Sequence, residues 1–214
     1  MAVQERAVRT RNALIVSAAE LFDRDGFEVA SLSMISARAG VSSGALHFHF
    51  SSKAALADAV GQEAAQRLEV ITCQREDGGL QVLIDATHAL VRALGRDAVL
   101  RAGFGLSDRA ERDQVGAGLR RVWQEWVEGV LVRADGQGVL ASGPSVRDAV
   151  TAVVAVTAGL ETLGRQDASW LSQTPLTRFW GLLLPRLAAA SCLETLVASG
   201  TCTPTVTATA SAPW

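Results

Sequence analysis

Residues 31–53, SLSMISARAGVSSGALHFHFSSK, leave the chain few ways to fold, because they encode two short helices about a tight turn. Ser31 suits an N-cap, where its hydroxyl accepts a backbone N–H of the first turn. Leu32, Ile35 and Ala39 recur at helical spacing and give one apolar face. Gly40 then ends the helix in a left-handed conformation at little steric cost. Ser42 caps a second helix that opens with Ser43, Gly44 and Ala45, small enough to let backbone approach another molecule closely. Helix, short glycine turn, helix is the helix-turn-helix pattern, whose second helix enters the major groove of DNA.

The same residues contain a competing motif. Gly40-Val41-Ser42-Ser43-Gly44 fits G-x-S-x-G, the nucleophile elbow of serine hydrolases. That elbow requires a buried strand leading into the serine. The residues before it, MISARA, follow a helical apolar period without β-branched enrichment. Ser42 therefore reads as a helix cap, and no other convergent acid, base or metal set suggests an enzyme.

Composition points the same way. Of 214 residues 49% are hydrophobic but only 5% aromatic, and there is no Tyr. A core of Ala, Val and Leu favours helices over sheets. The first 53 residues hold six basic and five acidic side chains, so electrostatics permits nucleic-acid binding without demanding it. Cys73, Cys192 and Cys202 have unrelated spacings and no signal peptide precedes them, as expected of a reduced cytoplasmic protein. The longest apolar run, 149–160, is too short to span a bilayer, so no membrane association is expected. No cofactor-binding motif is present.

The periodicity predicts an all-α chain of about nine helices. Residues 1–8 read as a mobile arm, and 9–24 as a helix with Leu14, Ala18, Leu21 and Phe22 on one face. A long fourth helix is expected over 52–73, followed by helices over 80–95, 96–113 with a polar loop, 119–134 and 145–164. The helix at 145–164 is apolar on nearly every face, which requires cover on two sides. Pro175 opens a ninth helix, which Pro185 should kink. The domains expected are 1–53 for helix-turn-helix, 54–197 for a larger helical domain, and 198–214 as a disordered tail.

Thr10, Ala18, Leu21-Phe22, Gly26, Ile35, Ala39-Gly40-Val41-Ser42, Gly44-Ala45-Leu46, His49-Phe50 and Lys53 together resemble the DNA-binding domain of the tetracycline-repressor family. His47 stands where that family usually has Tyr, and Ser43 where its butyrolactone-receptor branch often has Lys. The resemblance implies operator DNA as a partner, with Arg9, Thr10, Ser31, Ser42, Ser43, Gly44, His47, Phe48 and Lys53 as candidate DNA-binding residues. Lys53, the sole lysine, opens the fourth helix, where a phosphate would offset the unfavourable helix dipole. His47 and His49 are not read as a metal pair, since they point about 200° apart around a helix.

Residues 97–106, DAVLRAGFGL, resemble a segment of γ-butyrolactone autoregulator receptors, with Gly105 replacing the usual arginine. Gln124-Glu125-Trp126 sits where those receptors carry a pocket tryptophan. The resemblance implies a small-molecule effector held by Trp126, Thr157, Trp123, Phe104 and Leu90, the first three in that order of expectation. The Thr157 hydroxyl is expected either to bond the Val153 carbonyl or to reach a ligand, and His88 to pack in the core.

These features describe a cytoplasmic homodimeric repressor released from DNA by a γ-butyrolactone-type signal. A related repressor sensing an antibiotic or biosynthetic intermediate is the nearest alternative. An oligomeric helical protein with an inactive DNA domain, or a helical enzyme, is a more distant one.

Overall fold

The computed structural model describes residues 2–73, 79–112 and 118–201, and every regular element among them is helical. The first helix, α1, runs Ala2–Asp25, so residues 2–8 of the expected arm instead form the helix's first two turns. An ion pair between Glu5 and Arg9 and a Thr10 Oγ1 hydrogen bond to the Arg6 carbonyl support that extension. Helix α1 buries Leu14, Ala18, Leu21 and Phe22, as its period predicts.

Three serines then start three helices. Ser31 caps α2 (Leu32–Arg38), Ser42 caps α3 (Ser43–His49) and Ser52 caps α4 (Lys53–Thr72). Their hydroxyls accept the N–H groups of Met34, Ala45 and Ala55. Gly40, at φ +67, makes the turn between α2 and α3 in a conformation that L side chains avoid.

The larger unit comprises α5 (Gly79–Leu94), α6 (Ala98–Arg112), α7 (Leu119–Gly136), α8 (Val146–Gly164) and α9 (Gln173–Leu187). A one-turn 3-10 helix at Ala168–Leu171 precedes α9, and a single-turn α10 (Ala190–Leu193) follows it, an element the periodicity did not announce. Pro185 lies in the last turn of α9, which stops two residues later at Leu187. Helix α6 packs against both α1 and α4. The contact is close because Gly103 faces Ala64: a Cβ at 103 would lie 2.3 Å from that of Ala64. One continuous buried cluster extends from Leu14 on α1 to Leu187 on α9, so the core does not break where the helix-turn-helix ends.

The start of the expected disordered tail is held in place. Gln81 and Asp85 on α5 bond the backbone of Val197 and Thr201. His88 is 2% exposed, packs against Gly200 and has Nε2 3.0 Å from the Ala198 carbonyl. Burial holds the His88 imidazole below its usual titration range, and the neutral ring donates Nε2–H to that carbonyl. Core packing is thus the role of His88. Residues 202–214, the rest of the expected tail, lie outside the described residues.

Candidate functional site

The helix-turn-helix presents one exposed surface. Arg38 is paired at 2.5 Å with Glu20, which holds α2 against α1, while Leu46 and Phe50 anchor α3 in the core. With that face of α3 buried, Ser43, Gly44, His47 and Phe48 point outward together. Phe48 is 82% exposed, a large apolar ring left uncovered among the described residues, and it meets His49 edge-on. An exposed aromatic beside small residues can contact thymine methyls or sugar edges within a groove. Arg9 is exposed on α1, whereas the Thr10 hydroxyl is turned to its own helix. The Ser31 and Ser42 oxygens accept the capping bonds that orient α2 and α3.

Lys53 is engaged within the chain. Its ammonium donates to the carbonyls of Phe27, Glu28 and Ala30 at 2.8, 3.2 and 3.0 Å. It also lies 4.3 Å from the centroid of the Phe27 ring. An ammonium has three donors, and here all three are used within the chain. The charge at the helix start is answered by carbonyls, and the lysine ties α4 to the α1–α2 connection.

A second site lies inside the larger unit, a cavity of about 40 Å³ that is partly open to solvent. Helix α5 contributes Leu90 and Leu94 to its wall, α6 Phe104, and α7 Arg120 and Trp123. Helix α8 supplies Val154, Thr157, Ala158 and Glu161. The wall is mostly apolar, with few polar groups, as small-molecule sites are. Trp123 Nε1 donates to Thr157 Oγ1 at 3.0 Å, and that hydroxyl turns to the carbonyls of Val153 and Val154. Of the two roles anticipated for Thr157, the hydroxyl takes the bond to its own helix, on a residue that borders the cavity.

Trp126, the first-ranked ligand contact, is not on this wall. It stacks behind Trp123 with centroids 5.2 Å apart, and its Nε1 donates to the Thr72 carbonyl at the end of α4. Three residues separate the two indoles, but α7 turns the earlier one inward; that rotation is set by packing against α8. Trp123, Thr157, Phe104 and Leu90 are brought together. Glu161 was missed, although a signal existed: it falls one turn after Thr157 on the most apolar helix of the chain. It is 3% exposed, its Oε2 lies 2.7 Å from Arg120 Nη2, and its Oε1 accepts from Arg165 Nη2 at 3.1 Å.

A groove-sized helix beside a helical cavity unit has known counterparts. Residues 14–60 match the family of bacterial regulatory proteins called tetR. Over 192 residues the chain is 32% identical to the A-factor receptor protein of Streptomyces griseus, covering 88% of this chain and 67% of that one. The chain belongs to the tetR family. Among solved structures, a γ-butyrolactone receptor (ArpA-like protein) aligns with a TM-score of 0.73 at 28% identity, over 89% of this chain and 93% of that one. CprB of Streptomyces coelicolor, in complex with its operator sequence, aligns at a TM-score of 0.75 and 27% identity, over 89% and 94%. This tetR-family chain is thus a DNA-binding regulator related to the A-factor and γ-butyrolactone receptors, and its fold is a transcriptional regulator's rather than an enzyme's. Among the described residues no helix is long and apolar enough to cross a membrane.

Proposed function

We propose that the chain is a ligand-responsive repressor, released from operator DNA when a small molecule of the γ-butyrolactone type enters the α5–α8 cavity. The observation that carries this reading is the partly open, mostly apolar cavity lined by Trp123, Phe104, Thr157 and Leu90, in a chain whose recognition helix is separately exposed. Ser43, Gly44, His47 and Phe48 face the major groove, and Arg9 approaches phosphate. Ligand binds one of two arrangements better and so shifts the population away from the DNA-bound one. A regulator that binds DNA works beside it, which supports the cytoplasm as its site of action.

The repressor is a homodimer through α8 and α9. Thr151, Ala155 and Leu163 on α8 and Gly181, Leu182 and Pro185 on α9 are exposed, forming a surface of small and apolar side chains. Two such helices per subunit suit a four-helix contact about a two-fold axis. The second reading, a repressor answering an antibiotic or biosynthetic intermediate, is favoured by Glu161 and Arg120 in the wall, a charged pair that suits a more polar ligand than a lactone.

Selection of duplexes from random DNA, followed by release with acyl-γ-butyrolactones of increasing chain length, tests the proposal. A selected palindromic site from which a lactone displaces the protein is the expected result. Operator binding that no lactone reverses would move the ligand to the second class.

A further inference from the structure

The cavity wall and the DNA-binding unit are joined by a line of charged side chains. It starts at Arg120 on α7, beside Glu161 on α8. Glu161 Oε2 is enclosed and lacks hydrogen-bond geometry to any neighbour, although Arg120 Nη2 stands 2.7 Å away. The other oxygen accepts from Arg165, the first residue past α8. Arg165 reaches on, with Nη1 3.8 Å from Asp23 Oδ1. Asp23 belongs to the last turn of α1, and Arg101 of α6 donates to its Oδ2 at 2.8 Å. The Arg165 guanidinium also donates to the Arg101 carbonyl at 3.2 Å, so one side chain holds α8, α6 and α1 together.

Room for this arrangement comes from Gly105. A Cβ there would lie 3.1 Å from Arg165 Nη2, closer than nearly all such contacts. Glu161 is a buried acid satisfied on one oxygen by hydrogen bonding and on the other by charge alone. A ligand hydroxyl or amine meeting Oε2 would supply the missing hydrogen bond, which for a buried oxygen is worth more than an exposed one. Satisfying that oxygen from the cavity redraws the balance of a carboxylate shared between two arginines.

We propose that Arg165 is a positioning residue that couples the cavity to the helix-turn-helix: a donor-bearing occupant that engages Glu161 loosens Arg165 from Asp23 and lets α1 shift against α6. This rests on the reading of the cavity as the effector site. Spatial continuity does not establish coupling, and a cycle of substitutions does.

The probe is built into the chain, so no ligand need be known. Ala158 lines the cavity three residues before Glu161, and Ala158→Gln brings a tethered amide donor to the same face of α8. Operator affinity is measured on the selected duplex for Ala158→Gln alone and combined with Arg165→Met or Gly105→Ala. Gly105→Ala crowds the guanidinium by a few tenths of an ångström while improving helix propensity, and melting temperatures of all variants are measured alongside. Should Arg165→Met melt early, Gly105→Ala carries the comparison. Ala158→Gln should weaken operator binding about tenfold in the native background and less than about twofold in either other background. Equal weakening in all three overturns the Arg165 coupling and leaves the effector cavity standing. No weakening in the native background overturns both.

Discussion

Lys53 shows how a single side chain changes meaning once its neighbours are known. Its ammonium is saturated by three carbonyls, so Lys53→Met should cost about 1–3 kcal/mol, the range for losing charge-assisted bonds to partly buried acceptors. The dependence of DNA affinity on salt should stay the same. A fall in the slope of about 1 per subunit would restore the phosphate role. The two tryptophans separate in the same manner. Trp123→Phe deletes the bond to Thr157 and reshapes the cavity, so more lactone should be needed for release. Trp126→Phe loses only the bond to Thr72 and should leave the lactone titration within about twofold of the native curve. Titrating both variants beside the native protein decides between the indoles. His88 adds a pH dependence. Because its folded titration lies below the ordinary 6.5, the unfolded chain binds the proton more readily. Its contribution is therefore complete above about pH 6.5 and declines as pH falls through that value toward the folded one. Melting curves of His88→Gln should accordingly be flatter between about pH 7 and 5.5 than those of the native protein.

At the scale of elements, the crossing of α4 and α6 depends on one missing side chain. Gly103→Ala would place a methyl 2.3 Å from the Ala64 Cβ, and both groups are on helix backbones that cannot swing aside. Overpacking of this kind costs about 1–3 kcal/mol, outweighing the improved helix propensity of alanine. The compensating change Ala64→Gly should recover part of the loss. Thermal unfolding of the two single variants and the double variant measures this, and strictly additive losses would show that the two helices do not meet there. Because α6 also packs on α1, the same crossing sets where the DNA-binding unit sits relative to the cavity.

For the whole molecule, the decisive question is what covers α8 and α9. Leu182 is 80% exposed near the middle of α9, an unusual setting for a leucine among small neighbours. Leu182→Arg should leave the fold intact and yield a monomer at micromolar concentration in sedimentation. Operator affinity should fall by at least about 100-fold, since a monomer engages one half-site only. A dimer that persists in this variant would direct the search to another face.

Much of this architecture was legible in order. The serine caps at 31, 42 and 52, the glycine turn and the apolar period of α1 are local signals, decided within one or two turns. They specify helices, a turn and the exposed face of α3 without reference to distant residues. What distant residues touch could not be read in this way. Trp123 and Trp126 have the same local spacing to the core, and only the rotation of α7 against α8 turns the former to the cavity. Glu161 was visible as an acid on an apolar helix, but its value depends on Arg120 and Arg165 arriving from other elements. Lys53 carried a correct electrostatic puzzle, a cation at a helix start, whose solution lay in carbonyls more than twenty residues earlier. Local propensity and capping act over a few residues and are written in the chain, whereas long-range partners are chosen by how whole helices pack, and that choice was made only in the tertiary structure.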